Sequence, residues 1–406
     1  MKTYLRYWID MIVYVVRGSG FFYAWVFLLL LIMTNGMMAY ARQLENGLIT
    51  SNLSDQVSWG AYIANFTFLV GVAAAAVLLV VPAYLYKRED IKKVVLFGEL
   101  LALSAIIMCL LFVTVDLGQP QRFIHLLPLV GKINFPHSIL AWDVLVLNGY
   151  LLLNLHIPGY LLYKKYLGEK PNRKYYMPFV YLSIAWAVSI HTVTAFLFSG
   201  FAGRPFWNSA VLAPRFLISA FAAGPALLII VLAVKDRFST IKTDSSVTGY
   251  LSHIIAYTLP ANIFLFACEI FTELYSDTTH AISVKYLFMG LGGHGMIIPY
   301  IWSAVIFNLT AALIFMTPSM RKKRSMLIFA SALCFVGIWI EKGMGLIVPG
   351  FLPTPLGDLV EYTPSMTEIS VCAGIWAIGG LLFTLFAKVA NGIDEGQLTY
   401  NTSRTL

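Results

Sequence analysis

The sequence PHSILAWDVLVLNGYLLLNL occupies residues 136–155. It is long and apolar enough to cross a membrane as a helix, because about 20 residues at roughly 1.5 Å each span the hydrocarbon core of a bilayer. It also contains His137 and Asp143. Ionisable side chains are expensive inside a bilayer and usually mark a functional site. The stretch therefore predicts a membrane helix that carries part of such a site.

The composition of the whole chain supports this interpretation. Of the 406 residues, 59% are hydrophobic and 12% are charged, whereas soluble domains have about 25% charged residues. The mean hydropathy is +0.77. Backbone groups in lipid must be satisfied within their own segment, and the apolar runs are too long for barrel strands. The predicted fold class is an all-α integral membrane protein.

Ten apolar runs are long enough to cross a membrane. They lie near residues 21–40, 60–86, 93–116, 138–163, 176–200, 214–234, 249–273, 289–316, 325–346 and 367–388.

The basic residues predict the orientation of these spans. If the N-terminus is cytoplasmic, 21 of the 28 Lys and Arg residues fall in inside segments. The other seven are Arg42, Arg122, Lys132, Arg204, Arg215, Lys285 and Lys342. Such a bias follows the positive-inside rule and predicts two cytoplasmic termini in the cytoplasmic membrane. It also accounts for the net charge of +8 without a nucleic-acid partner.

The two ends of the chain are assigned to the inner surface. Residues 1–20 predict an amphipathic helix in the plane of the interface, with five apolar residues at helical spacing: Leu5, Trp8, Ile9, Ile12 and Val16. An alternative is that these residues are the irregular start of the first span. Residues 389–406 are expected to form a cytoplasmic tail.

Cysteine and histidine spacing bears on cofactors of the chain itself. The four cysteines stand singly in apolar runs, so neither an iron–sulfur cluster nor covalent haem is expected. His156 and His253, both near the inner side, leave a single b-type haem as an alternative. We expect no metal site.

The ionisable residues within the spans are concentrated toward the outside. The outer set comprises Asp116, His137, Asp143, Arg215, Glu269, Glu273, His294, Glu341, Lys342 and Glu368. Glu99, His156 and His253 lie toward the inside, and His191 lies near the middle. The outside loops are longer than the inside loops and rich in Gly, Pro and aromatic residues. A site beneath these loops is therefore predicted.

His137 and Asp143 are six residues apart, a rise of about 9 Å along a helix. Both can border one apolar pocket, with Trp142 nearby. Such a pocket suits a quinone, whose head group needs hydrogen bonds and a route for protons. Alternatively, His137 caps the helix at the interface and Asp143 pairs with a base such as Arg215.

A buried carboxylate on the inner side predicts a proton route. Glu99 lies about eight residues into the third span and needs a partner or a water chain. With His191, Asp143 and Glu269 it predicts a path from the cytoplasm to the outer site. Glu341 and Lys342 are adjacent at a helix end. They are candidates for a functional role, but the simpler expectation is that both are solvated.

Three outer segments resemble the NrfD/polysulfide-reductase (PsrC-like) membrane-subunit family. VDLGQPQRF (residues 115–123) is similar to the D-L-G-x-P-x-R-F signature of that family. GRPFWNSAVLAPRF (203–216) and EKGMGLIVPGFLPTPLGDLVEYTPSMTE (341–368) are similar to its ten-helix branch. Within that branch the resemblance is nearest to the P subunits of the Dsr M-K-J-O-P membrane complex of sulfate reducers.

The resemblance implies a fold of two four-helix bundles, formed by residues 60–200 and 214–346 and flanked by the first and tenth helices. It implies a subunit that is not active alone, has no haem or iron–sulfur cluster of its own, and binds menaquinone or a similar quinone near the outer face. Asp116, Arg122 and Arg215 match its motifs, and His137 with Asp143 match the place of its quinone pocket.

The resemblance also implies partners. A ferredoxin-like iron–sulfur subunit would dock on the extracytoplasmic face, together with other membrane and cytochrome subunits in sulfur metabolism. A secondary transporter is an alternative from the sequence itself, because Gly224-Pro225 breaks a helix near mid-membrane.

Overall fold

The computed structural model describes residues 2–126, 129–275 and 277–401. The secondary-structure elements of these residues are all helices, and no β-strand is present among them. The principal helices are α1 (Lys2–Val16), α2 (Gly20–Asn46), α3 (Ala61–Leu85), α4 (Val95–Asp116), α5 (Ile139–Tyr166), α6 (Arg173–Ser199), α7 (Leu212–Phe238), α8 (Ser245–Tyr275), α9 (His280–Met289), α10 (Ile298–Met316), α11 (Arg324–Lys342) and α12 (Met366–Asp394).

Over the described ranges, ten helices are long and apolar enough to cross a membrane, which confirms the predicted all-α class and number of spans. The ninth span includes α11 and continues to Phe351. The protein is a multi-pass integral membrane protein. The tenth helix runs to Asp394, six residues beyond the predicted end, and Arg404 lies outside the described residues.

The predicted start of the eighth span is wrong. The apolar run begins near residue 289, but α10 begins at Ile298. The intervening residues form a turn in which Gly290, Gly292 and Gly293 have positive φ angles. That conformation suits glycine and ends a helix. The short helix α9 is therefore separate from the span that follows it.

The spanning helices pack in two closed rings. In the first ring α3 packs on α4, α4 on α5, α5 on α6, and α6 on α3. In the second ring α7, α8, α10 and α11 follow one another in the same manner. Helix α7 joins the rings through α3 and α6. The pair α2 and α12 packs outside the first ring, against α4 and α3.

Two glycines allow α2 and α12 to approach closely. A methyl group built at Gly36 would lie 2.6 Å from the Cα atom of Gly374, and one built at Gly374 would lie 2.9 Å from the Cα atom of Gly36. Neither helix can carry a larger residue there without separation of the two backbones. Farther along α2, Gln43 donates to the Val115 carbonyl at 2.7 Å and ties α2 to the end of α4.

The helix α1 is fastened to the end of the chain. Tyr14 donates to Gln397 at 2.8 Å, and Tyr166 at the end of α5 donates to Asp10 at 2.5 Å. Tyr7 is buried, whereas all five residues of the predicted apolar stripe on α1 are exposed. The helix is present as predicted, and its place in the membrane interface remains a prediction. Helix α1 and residues 395–401 lie at the same end of the molecule.

The shared end allows a test of the predicted orientation. A green fluorescent protein fused to the C-terminus should fluoresce, because that reporter folds only on the cytoplasmic side. An alkaline phosphatase fused at the same place should be inactive. An active phosphatase together with a non-fluorescent reporter would show that the C-terminus lies on the extracytoplasmic side and that the predicted orientation is wrong.

Replacement of Gly36 by Ala should destabilise the protein by about 1–3 kcal/mol, because the added methyl group overlaps the α12 backbone. The thermal unfolding midpoint of the full chain in detergent measures this loss. Gly380→Ala is the matched control on α12, since its methyl group would contact Leu29 at an ordinary 3.6 Å. Equal midpoints for the two variants would contradict the close approach.

Candidate functional site

A buried charge cluster lies inside the second ring. The Arg215 side chain of α7 donates one hydrogen bond to Glu269 of α8 and a second, at 2.9 Å, to Glu341 of α11. Arg215 is 5% exposed and both carboxylates are buried. The guanidinium also lies 4.2 Å above the ring of Phe266, a favourable cation–π position. One arginine thus holds three helices together.

Two asparagines complete the cluster. Asn262 of α8 donates to Glu341 at 3.1 Å, and Asn308 of α10 donates to it at 2.8 Å. All four helices of the second ring therefore contribute a side chain. Such charge-assisted hydrogen bonds are stronger than hydrogen bonds between neutral groups. In a low-dielectric interior a carboxylate needs them to remain ionised.

Lys342 extends the cluster toward the first ring. Its ammonium donates to the Phe216 carbonyl at 3.1 Å and lies 4.1 Å from the centre of the Phe216 ring. The expectation that Glu341 and Lys342 are solvated is wrong, since both are buried. The chain continues after them into two short buried helices, Met344–Ile347 and Pro349–Phe351, which cover this helix end.

An aromatic group closes the cluster from above. Trp207 is fully buried and donates from its indole nitrogen to the Leu346 carbonyl at 2.8 Å. Its ring meets that of Phe351 edge-on at 4.9 Å and stacks on Trp59. Arg204 donates to the Phe351 carbonyl at 3.0 Å, and burial lowers the pKa of this guanidinium. The segments before α7 and after α11 therefore pack against each other and bury Trp207.

Asp143 lies buried in the first ring and does not pair with Arg215. It accepts a hydrogen bond from the Thr194 hydroxyl of α6 at 2.8 Å. His191 precedes Thr194 by one turn, and its Nδ1 contacts the Ala187 carbonyl at 3.0 Å. Its Nε2 has no hydrogen-bond partner among the described residues. His191 lies on α6, one of the two helices through which the first ring packs on α7.

A cavity of about 370 Å³ opens beside His137, at the end of the first ring that is predicted to face outward. Its lining consists of His137, Ile139, Phe196, Leu197, Ser199, Gly200 and Phe201. Thr194 precedes Leu197 by one helical turn on α6, which places the Thr194–Asp143 pair about 5 Å deeper along that helix. His137 thus borders the cavity, and Asp143 lies below it.

The other residues predicted for this pocket lie elsewhere. Trp142 is exposed and donates to the Pro136 carbonyl at 2.8 Å, and it does not line the cavity. Asp116, at the end of α4, is partly buried, and its Oδ1 has no hydrogen-bond partner in the described part of the chain. Arg122 is exposed in the short helix Pro120–Leu126. Arg215 belongs to the second ring.

Glu99 is buried near the N-terminal end of α4. Neither of its carboxylate oxygens has a hydrogen-bond partner among residues 2–126, 129–275 and 277–401. Tyr84 and Tyr150 lie within electrostatic range of it. A carboxyl group in this setting is easiest to accommodate when it carries a proton.

The inner histidines are already engaged. The His253 ring contacts the Gly249 carbonyl at 2.6 Å through Nδ1 and the Arg321 guanidinium at 3.0 Å through Nε2. Nε2 of His156 contacts the Tyr175 carbonyl at 2.9 Å. No ring nitrogen of His253 is left to bind iron, which removes one ligand from the b-type haem alternative.

Comparison with known proteins decides the family. Residues 50–352, which contain the cavity and the charge cluster, match the family described as polysulphide reductase, NrfD. The chain belongs to this family. The resemblance seen in the outer loops is thereby confirmed at the level of the NrfD family.

Three relatives of this NrfD protein match it over nearly their whole length at low identity. A putative membrane subunit of dimethyl sulfoxide reductase from Halobacterium salinarum is 25% identical, covering 88% of both chains. An Hdr-like menaquinol oxidoreductase integral membrane subunit of Archaeoglobus fulgidus is 26% identical, covering 92% of this chain and 94% of the relative. A selenate reductase subunit of Mesobacillus selenatarsenatis is 24% identical, covering 90% and 93%. All three are subunits of redox enzymes, which does not favour the transporter alternative.

Replacement of Glu341 by Leu should cost about 3–5 kcal/mol, because it leaves Arg215 and two amides partly unpaired in the interior. The thermal unfolding midpoint in detergent should fall accordingly. Glu89→Leu removes an exposed carboxylate that forms a surface ion pair with Lys92, and should change the midpoint little. A small effect at Glu341 would mean that the cluster is not structurally important.

Proposed function

We propose that this chain is the quinone-interacting membrane subunit of a respiratory redox complex. Menaquinol or menaquinone binds in the cavity beside His137 and exchanges electrons with an iron–sulfur subunit on the outer face. The observation that carries the proposal is an apolar cavity with a histidine at its edge and the buried Thr194–Asp143 pair beneath it. The name of the Archaeoglobus relative, a menaquinol oxidoreductase subunit, supports it.

The residues at the cavity fit a quinone. Small-molecule sites have volumes of about 300–1,000 Å³, with mainly apolar walls and a few polar groups. The cavity is in this range, and Ile139, Phe196 and Phe201 provide apolar walls. The His137 ring and the Ser199 hydroxyl are able to donate hydrogen bonds to carbonyl oxygens. A bound menaquinol supplies two electrons and two protons.

Asp143 is suited to handle one of these protons. It is buried, and it accepts its hydrogen bond from the hydroxyl of Thr194, which orients the carboxylate without neutralising it. A carboxylate held in this way next to an apolar cavity is a good general base. His137, exposed at the cavity edge, is placed to exchange protons with the outside.

The outer loops are suited to a partner. Large apolar side chains are exposed there on two separate segments: Phe123, Ile124, Leu129, Val130 and Leu356. Exposed apolar groups in connecting loops commonly mark an interaction surface. We infer that the ferredoxin-like iron–sulfur subunit covers them, alongside other membrane and cytochrome subunits. The named relatives are subunits of enzymes, which supports a multi-subunit complex.

A proton path through the membrane is part of the proposal. Glu99, His191 and Glu269 lie toward the inner side, near the middle and toward the outer side, and each has an atom without a hydrogen-bond partner in the described structure. The outer-loop motifs resemble most the P subunits of the Dsr complex, so we place the complex in sulfur metabolism. The subunits that co-purify with the tagged chain test that placement, and a partner set without any sulfur-converting enzyme would contradict it.

The full chain should bind 2,3-dimethyl-1,4-naphthoquinone, a soluble analogue, and His137→Ala should weaken binding about tenfold, the loss expected for one hydrogen bond. Quenching of tryptophan fluorescence measures the binding. Asp143→Asn should bind within about threefold of the wild type, while menaquinol oxidation by the complex falls about 100-fold, because a general base is lost.

His125→Ala is the matched control for this experiment. His125 lies in the same outer segment and is exposed, but it does not line the cavity. Its replacement should leave binding unchanged. If His137→Ala binds like the wild type and Glu99→Ala abolishes binding, the quinone site is in the inner half and our assignment is wrong.

A further inference from the structure

A row of polar side chains leads from the charge cluster to the outer surface. Glu273 follows Glu269 on α8 by four residues, which places the two carboxylates on one face with a rise of about 6 Å. Both are buried, Glu273 being 7% exposed. Glu269 receives the guanidinium of Arg215, so the row begins at the cluster itself.

The row continues into α9. Oε2 of Glu273 lies 3.3 Å from Nδ1 of His280, the first residue of that helix. The His280 side chain is 42% exposed. A buried carboxylate is thus connected to solvent through a single imidazole.

The atoms along the row are not satisfied. Oε1 of Glu269 has no hydrogen-bond partner among the described residues, and Oε2 of Glu273 has within them the 3.3 Å contact with Nδ1 of His280 and no other polar partner. Buried polar atoms are usually paired, and unpaired ones need an explanation. Two ionised carboxylates one turn apart also repel each other, and a shared proton relieves that repulsion.

Neighbouring charged residues do not join the row. Asp277 forms its own exposed ion pair with Lys285 at 2.6 Å. The hydrogen bond from Lys285 lowers the pKa of Asp277, so that carboxylate stays ionised near neutral pH. It offers a control in the same segment that is acidic and has no contact with the row.

We propose that Glu269, Glu273 and His280 form the outlet through which protons leave the membrane part of the protein on the outer side. A proton passes from the Glu269 carboxyl to the Glu273 carboxylate and then to Nδ1 of His280. The imidazole releases a proton from Nε2 to water and returns to its neutral form. No electrons move in these steps. The proposal rests on the proton translocation included in the proposed function.

The test uses the complete complex in oriented liposomes, with menaquinol as donor, ferricyanide as acceptor and a pH-sensitive dye outside. The wild-type complex should release more protons per electron than menaquinol oxidation itself supplies. Glu273→Gln should remove at least half of this excess. Its rate of menaquinol oxidation with an uncoupler should stay within twofold of the wild type. His280→Gln should slow proton release, and added imidazole should restore it, which a purely structural role of His280 would not allow.

Asp277→Asn is the matched control and should behave like the wild type. The outlet is overturned if Glu273→Gln releases protons with the wild-type ratio, or if Asp277→Asn loses as much as Glu273→Gln. It is also overturned if uncoupled menaquinol oxidation in Glu273→Gln falls below half, because the residue would then serve the structure. Glu99→Gln in the same assay tests the inner part of the path.

A second measurement keeps the outlet testable if the wild-type complex oxidises no menaquinol, in which case the proposed function itself fails. Infrared spectroscopy of the full chain follows deuterium exchange of the buried carboxyl groups, with the Glu269 band assigned through Glu269→Gln. Exchange of this band should be at least about tenfold slower in Glu273→Gln and in His280→Gln. Unchanged exchange in both variants would refute the outlet.

Discussion

The guanidinium of Arg215, held between Glu269 and Glu341, is the interaction on which the second ring depends. Charges are costly in the interior of a membrane protein unless opposite charges and hydrogen bonds surround them. This chain meets the requirement with two carboxylates, one from α8 and one from α11, and with two asparagine amides on Glu341. Each helix of the ring is therefore fixed in depth and in rotation, since a shift of any of them would separate a buried charge from its partner.

The first ring solves a different problem. It holds an open cavity at one end instead of a charge cluster, and one of its buried carboxylates, Asp143, has the hydroxyl of Thr194 as its partner. The two rings meet where α7 packs on α3 and α6. This arrangement places the proposed electron chemistry in one ring and the proposed proton outlet in the other.

Hydropathy and loop charge predicted the number of spanning helices because the thickness of a bilayer dictates how long an apolar run must be. The same reasoning misplaced the start of the eighth span, since hydropathy does not register the positive φ angles of Gly290, Gly292 and Gly293. Glu341 and Lys342 were assigned to solvent because they stand at the end of an apolar run. Only the fold shows that the chain after them turns back and covers them. Asn262 and Asn308, being uncharged, gave too weak a signal to be selected, although two amides in apolar runs were the available hint.

The contact between Gly36 and Gly374 has a consequence for how the protein is made. Helix α2 leaves the ribosome long before α12, and α12 supplies its principal neighbour. For most of translation α2 must reside in lipid alone. The surface of α2 is suited to lipid, because only 11% of the residues in its apolar 18-residue segment are buried in the folded protein. The fold is thus closed late, when the last helix inserts and docks against the first.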